Sequence, residues 1–106
     1  MAAAAITPTS VQKFYVPSTN VYGTAAGLRL VKYFVKLTKA TQNDWIVPST
    51  YCLGAAADKV VGVSGWTMDS STNGVQETFT YATSGEKLVM TSSTVGTTYI
   101  EITVQL

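Results

Sequence analysis

The sequence contains no histidine and a single cysteine, and both shortages narrow the possible functions. Without histidine, no serine or cysteine nucleophile can be paired with a histidine base, and no zinc site can be built on imidazole. Cys52 has no partner within the chain for a disulfide, which fits a protein made in a reducing compartment. The glycines do not follow the spacing of phosphate-binding loops. We therefore expect no enzymatic activity, no metal and no cofactor.

Charged residues are also scarce, at 12% of the 106 residues against about 25% in typical domains. Hydrophobic residues make up 46% and the net charge is +1, so the chain has enough apolar surface to fold. No stretch approaches the roughly 18–20 apolar residues of a membrane span. The first apolar run ends at Pro8 without a preceding basic residue, so we expect neither a signal peptide nor a membrane partner.

Threonine and serine together supply 26 residues and valine supplies 13, a composition that favours strands. The two clearest strands alternate in hydrophobicity, with Val31, Tyr33, Val35 and Leu37 on one face of residues 28–38, and Ile100, Ile102, Val104 and Leu106 on one face of residues 97–106. Further strands are predicted at residues 11–16, 44–47, 59–68, 75–81 and 87–91, with one helical turn or a loop within residues 49–58. A period of two is what a strand with one buried face requires.

These patterns predict an all-β fold: a single-domain antiparallel β-sandwich or small barrel of about seven short strands. Residues 11–106 form this domain, and residues 1–10 form an extended N-terminal arm that contributes little to the core. The Asn73–Gly74 step is expected to supply the positive φ angles of a hairpin loop. Because the chain ends within its last strand, that strand is expected to leave an edge open for pairing.

The charged residues are unevenly distributed along the chain. Residues 1–43 carry a net charge of +5 and residues 44–106 carry −4, which suits packing against copies of the same chain. Most of the six acidic residues are expected at loop edges or outward strand positions, where solvated carboxylates are the default, so we expect no catalytic pair among them. The six are Asp44, Asp58, Asp69, Glu77, Glu86 and Glu101.

Three groups of residues are candidates for interaction with a partner. The first is the apolar start of the arm, which could add a strand to a neighbouring molecule and consists of Ala2, Ala3, Ala4, Ala5 and Ile6. The second is the pair Trp45 and Trp66, which could form a platform for sugar rings, although tryptophans of small β domains usually belong to the core. This second group supports an alternative function, a carbohydrate-binding or adhesin-like β domain.

The third group lies on the basic strand and comprises Arg29, Lys32, Phe34 and Lys36, with Tyr33 beside them. Basic and aromatic residues together are typical of barrels that bind single-stranded nucleic acid. The nearly neutral net charge does not fit such a domain, so an ordinary solvated strand face is the favoured interpretation and nucleic acid is not an expected partner.

The overall layout resembles a known class of proteins. An Ala-rich start runs into Ile6-Thr-Pro-Thr9, an alternating strand ends in Val35-Lys-Leu-Thr38, and Asn43-Asp-Trp-Ile-Val47 follows. The chain closes with short hairpins such as Glu86-Lys-Leu-Val-Met-Thr91 and Gly96-Thr-Thr-Tyr-Ile-Glu-Ile-Thr103. In this layout, most of the chain resembles small all-β virion proteins, especially the decoration, or capsid cement, proteins of tailed bacteriophages.

This resemblance implies a non-enzymatic structural protein that binds a capsid lattice in many copies, often as trimers. The expected partners are therefore copies of the same chain and a capsid or other virion protein. The expected location is the virion, after synthesis in the host cytoplasm. The resemblance implies no particular binding residues.

Overall fold

The computed structural model describes residues 2–15, 30–56, 58–69, 73–82 and 85–105. Within them lie eight strands and one short helix: β1 (Ser10–Tyr15), β2 (Leu30–Lys39), β3 (Trp45–Ile46), α1 (Pro48–Tyr51), β4 (Val60–Met68), β5 (Gly74–Gln76), β6 (Phe79–Ala82), β7 (Lys87–Met90) and β8 (Gly96–Gln105). The strands form two antiparallel sheets, one of five strands in the order β1-β2-β8-β4-β5 and one of three in the order β3-β7-β6. The described strands do not close into a barrel, so the prediction of an all-β, sandwich-like fold is confirmed.

The core lies between the two sheets, as the alternating apolar residues predict. Its fully buried side chains include Val31, Tyr33, Val35 and Leu37 of β2, Ile100, Ile102 and Val104 of β8, and Ile46, Leu88 and Met90 of the smaller sheet. Leu106, also predicted to be buried, lies outside the described residues, as does the predicted loop at residues 17–27. The inward and outward faces of β2 and β8 are thus confirmed over their described length.

Strand β8 occupies the centre of the larger sheet. It pairs with β2 over its whole length and with β4 on its other side, so that Ile102 lies between Tyr33 and Val63. The prediction that the last strand offers a free edge is therefore wrong. The edges of this sheet are β1 and β5 instead.

Residues 75–81 do not form the single strand that their alternation predicts. The chain leaves the larger sheet after β5 and enters the smaller one at β6, and Glu77 and Thr78 make the crossing. The amide of Glu77 still donates to Gly65 O (2.9 Å), whereas Thr78 O already accepts from the amide of Thr91 (2.8 Å). The split raises the number of strands from the predicted seven to eight.

Glu77, at the crossing, belongs to a buried polar network. Its Oε1 lies 2.8 Å from Nζ of Lys39, and both side chains are fully buried. Thr67 Oγ1 donates to the same oxygen (2.7 Å), and the amide of Ser92 donates to Oε2 (2.9 Å). Lys39 also donates to Ser92 O (2.6 Å). The network joins β2 and β4 of the larger sheet to the segments that flank the smaller one.

The structure corrects the expectation that these acidic side chains are solvated. Glu77 and Asp44 are buried rather than solvated, because each carboxylate is surrounded by hydrogen-bond donors. Ion pairs within one molecule also connect the basic residues 1–43 with the acidic residues 44–106. Lys39 pairs with Glu77 and Lys32 pairs with Glu101, so basic residues of the first part meet acidic residues of the second within one molecule.

The single cysteine lies in the core, next to α1. Cys52 is fully buried, and this burial raises the pKa of its thiol from 9.0 to about 11. The reactive species of a thiol is the thiolate, and at pH 8 this shift lowers the thiolate fraction about a hundredfold. Cys52 is therefore expected to be inert in the folded protein.

We expect Cys52 to react with Ellman's reagent at pH 8 only after unfolding in urea, because the folded core excludes the reagent and suppresses ionisation. The measurement is the absorbance of the released thiolate against time. Ser49→Cys is the matched control, since residue 49 is exposed and its new thiol should react at once. Rapid reaction of the native thiol in the unaltered protein would show that the Cys52 site opens readily.

Candidate interaction surfaces

The structure separates the candidate residues into two surfaces. One is formed by residues 2–6 of the N-terminal arm and by the backbone edge that receives them. This edge, formed by Asp44 and Trp45, is called the arm slot. The other is the outward-facing side of the five-stranded sheet, here called the outer face. It carries Lys32, Phe34, Lys36 and Trp66.

The arm lies against its own domain through one isolated β-bridge at the edge of the smaller sheet. Ala5 forms a parallel bridge with Trp45, whose amide donates to Ala4 O (3.2 Å) and whose carbonyl accepts from the amide of Ile6 (2.8 Å). Ile6 is half-buried and packs against the core. Ala2, Ala4 and Ala5 remain exposed, so backbone hydrogen bonds and the side chain of Ile6 hold the arm in place. β3 is only two residues long, and the arm covers its open edge.

The carboxylate of Asp44 binds the arm and the turn before β3 through hydrogen bonds. Its side chain is buried, with Oδ1 accepting from the amide of Ala4 (2.9 Å). Oδ2 accepts from the amides of Ala40 (2.9 Å) and Thr41 (2.8 Å), which fold the turn before β3 around the carboxylate. Asn43 adopts a left-handed conformation in this turn, with φ of 73°. The arm thus supplies one of three backbone donors to a buried carboxylate.

Trp45 and Trp66 do not form a common platform. Trp45 lies in β3 of the smaller sheet, where it is half-buried and its ring is covered by Lys87, with Nζ 4.3 Å from the ring centroid. Trp66 lies in β4 of the larger sheet and is 49% exposed. The two side chains therefore belong to different surfaces, and only Trp66 offers an open ring.

Four aromatic side chains form a diagonal stripe across the outer face, one on each of four adjacent strands. In order across the sheet they are Phe14, Phe34, Tyr99 and Trp66, and each is between 42% and 49% exposed. Phe14 and Phe34 meet edge to face, with centroids 5.1 Å apart. Tyr99 and Trp66 are direct cross-strand neighbours. From the spacing of strands, the stripe extends about 14 Å across the sheet.

The aromatic stripe borders two open grooves. A groove of about 420 Å³ is lined by Phe34, Tyr99, Trp66, Ser64, Gln76 and Glu101, among others. A second groove of about 220 Å³ lies on the β1 side and is lined by Ser10, Gln12 and Lys36, again with Phe34 and Tyr99. Phe34 and Tyr99 thus border both grooves.

Gly74 has no side chain, and this leaves space for the indole of Trp66, which lines the larger groove. A Cβ at Gly74 would overlap Trp66 Nε1 and Met68 Sδ. Gly74 lies in β5 and its φ is not positive, so the prediction that it provides a left-handed turn residue is wrong. Its role is to let a strand pass close beside the indole.

One of the two lysines that the outer face carries is neutralised by a carboxylate. Lys32 and Glu101 form an ion pair of 2.7 Å with side chains 39% and 31% exposed, and Lys36 Nζ lies 5.9 Å from the Tyr99 ring centroid. The basic group proposed from sequence is only partly assembled, because Tyr33 points into the core and donates to Leu53 O (2.6 Å). Arg29 lies outside the described residues. The ion pair removes part of the positive field that nucleic-acid binding needs.

Sequence reasoning missed Phe14 and Tyr99 as members of the surface. Both occupy outward positions of alternating strands, and that signal was available for Tyr99. Their proximity to Phe34 and Trp66 depends on the strand order β1-β2-β8-β4, which no local pattern specifies.

The described residues contain no group of three or more histidine, cysteine, aspartate or glutamate side chains that could hold a metal ion. In the same part of the chain no helix is long and apolar enough to span a membrane. Comparison of the chain with protein-family models, with curated proteins and with solved structures finds no match.

Proposed function

We propose that this protein is a non-enzymatic structural protein of a virus particle, which assembles with its own copies on a capsid lattice through its N-terminal arm. The observation that carries the proposal is the way the arm is seated. Backbone hydrogen bonds on both sides of Trp45, together with the buried carboxylate of Asp44, hold a segment of four alanines and one isoleucine. Strand addition of this kind is a common mode of association between proteins.

The arm slot accepts an arm from another molecule as readily as its own. Its contacts are made to backbone groups of Ala4 and Ile6, which a second copy presents identically. Exchange of an identical element between protomers is a low-cost route to assembly, since the hydrogen bonds that break within one chain form again between two chains. Pro8 lies two residues after Ile6 and cannot donate a backbone hydrogen bond, which leaves fewer hydrogen bonds to break when the arm leaves its own slot.

Two further observations support the structural role. The sequence resembles small all-β virion proteins, and its 12% content of charged residues lowers the cost of desolvating the surface against other proteins. The two buried carboxylates, Asp44 and Glu77, are engaged with backbone amides, hydroxyls and Lys39, so neither lies in a substrate site.

Exchange of the arm is tested by disulfide trapping in a Cys52→Ala background. Ala5→Cys and Trp45→Cys are introduced singly into two chains of different length, which are mixed, refolded together and oxidised. We expect disulfide-linked pairs of one long and one short chain, because residues 5 and 45 are bridge partners. The double variant, with both cysteines in one chain, shows that the geometry permits the bond.

The proposal is wrong if the double variant closes its disulfide within one chain while the mixed single variants never link. Light scattering provides the second measurement. The full chain is expected to form a trimer or larger assembly, and a chain lacking residues 2–6 is expected to remain monomeric. That deletion should also lower the free energy of unfolding by about 1–3 kcal/mol, because Asp44 loses a hydrogen-bond donor in a buried position.

A further inference from the structure

The outer face is a second surface that the arm does not use, and its aromatic rings are unusually open. Phe14, Phe34, Tyr99 and Trp66 leave nearly half of each side chain in solvent. A cluster of exposed aromatic side chains on a small domain points to a site of interaction. The rings lie on paired strands rather than on loops, so the sheet holds them at fixed spacing.

Polar side chains lie between and beside these rings. Ser64, Gln76 and Glu101 line the larger groove with Tyr99 and Trp66. Hydroxyl, amide and carboxylate groups supply both donors and acceptors, and the hydroxyl groups of a sugar ring require both. The larger groove, of about 420 Å³, also falls within the usual size range of small-ligand sites.

The charged members of the face favour a carbohydrate over a protein partner. The Lys32–Glu101 pair lies next to Phe34, and Lys36 lies next to Tyr99, so charge is present at the centre of the stripe. The centres of protein interfaces are depleted of charge, since burying an ion pair is costly. A sugar leaves such groups partly hydrated and adds hydrogen bonds to them.

We propose that the outer face binds an oligosaccharide, which lies across the strands along the aromatic stripe. The apolar C–H face of a sugar ring packs on the Trp66 indole in the larger groove, where Gln76, Ser64 and Glu101 bind its hydroxyl groups. Phe34 and Tyr99 border the smaller groove as well, where Gln12 and Lys36 meet a neighbouring unit. The ligand is therefore a chain of at least two sugars rather than a monosaccharide.

The test is binding of the full-length protein to a printed array of defined oligosaccharides, followed by calorimetric titration of the best one. We expect Trp66→Ala to weaken binding at least tenfold and Gln76→Ala to weaken it several-fold. Leu53→Ala is the matched control, because Leu53 is a 78% exposed apolar side chain that lines neither groove, and it should bind like the unaltered protein. Circular dichroism confirms that each variant is folded.

Gln76→Ala keeps the test decisive if Trp66→Ala does not fold, since Gln76 is exposed on an edge strand. The proposal is overturned if no oligosaccharide binds at millimolar sensitivity, or if the folded variants bind as well as the unaltered protein. It is also overturned if Trp66→Ala changes the native mass while no glycan binds, because the face would then be a protein interface. Disulfide trapping between residues 5 and 45 tests arm exchange independently of these outcomes, since the two surfaces share no residue.

Discussion

Replacement of Glu77 by alanine should lower the free energy of unfolding by about 3–5 kcal/mol, because it leaves the ammonium group of Lys39 buried without a counter-charge. The same change removes the acceptor for the hydroxyl of Thr67 and for the amide of Ser92. Unpaired buried polar groups carry the full cost of desolvation. Glu77 lies where the chain passes from one sheet to the other, so its replacement should destabilise both sheets together.

Glu101→Ala is the matched control, since it also removes a carboxylate that is paired with a lysine. The Lys32–Glu101 pair is partly exposed, and pairs of this kind contribute about 0.2–1 kcal/mol. Urea unfolding monitored by tryptophan fluorescence measures both variants. Equal and small losses would mean that Lys39 reaches solvent and that the network does not hold the crossing.

The pH dependence of stability gives a second readout of the same group. Burial alone would raise the pKa of Glu77, but hydrogen bonds from Lys39, Thr67 and Ser92 outweigh burial and hold the pKa below its ordinary value of 4.5. The unfolded chain therefore binds the proton more readily than the folded one. The contribution of Glu77 is complete above about pH 4.5 and is lost as the pH falls through the lower, folded pKa. Glu77→Ala should remove this part of the acid dependence.

The arrangement of the core was predictable from the sequence because a period of two determines which residues of a strand share a face. The predicted inward residues of β2 and β8 are buried wherever they are described. The same rule failed at residues 75–81, where alternation continues through Glu77 although the chain changes sheets. The partner that holds Glu77 is Lys39, 38 residues away, and such a distant pairing leaves no local signal.

The two candidate surfaces also depend on contacts between residues that are distant in sequence, which local patterns do not predict. Trp66, Phe34 and the lysines were recognisable as candidates one by one, yet the stripe arises from strands that are distant in sequence and adjacent in the sheet. The composition of the arm predicts little contribution to the core, because alanines offer little apolar surface. Its attachment relies on backbone hydrogen bonds to Trp45 and Asp44, which composition does not reveal. Only the register of the strands brings these groups together.

Ile102→Ala is expected to cost about 2–5 kcal/mol, because the substitution removes a fully buried side chain from the central strand and leaves a cavity. Ile102 lies between Tyr33 of β2 and Val63 of β4, so neighbouring strands on both sides restrict how far the space can collapse. We expect urea unfolding to show a lower midpoint with little change in slope, since the same surface becomes exposed.

Thr103→Ala is the control for this substitution, since Thr103 is the next residue of β8 and points to the outer face, where it is half-buried. Its replacement should change the free energy of unfolding by no more than about 0.5 kcal/mol. The ratio of the two losses tests the register of the whole larger sheet, because a shift of β8 by one residue would exchange the inward and outward sets. Equal losses at the two positions, or a larger loss for Thr103, would contradict the pairing of β8 with β2 and β4 and, with it, the stripe that Tyr99 forms with Phe34 and Trp66.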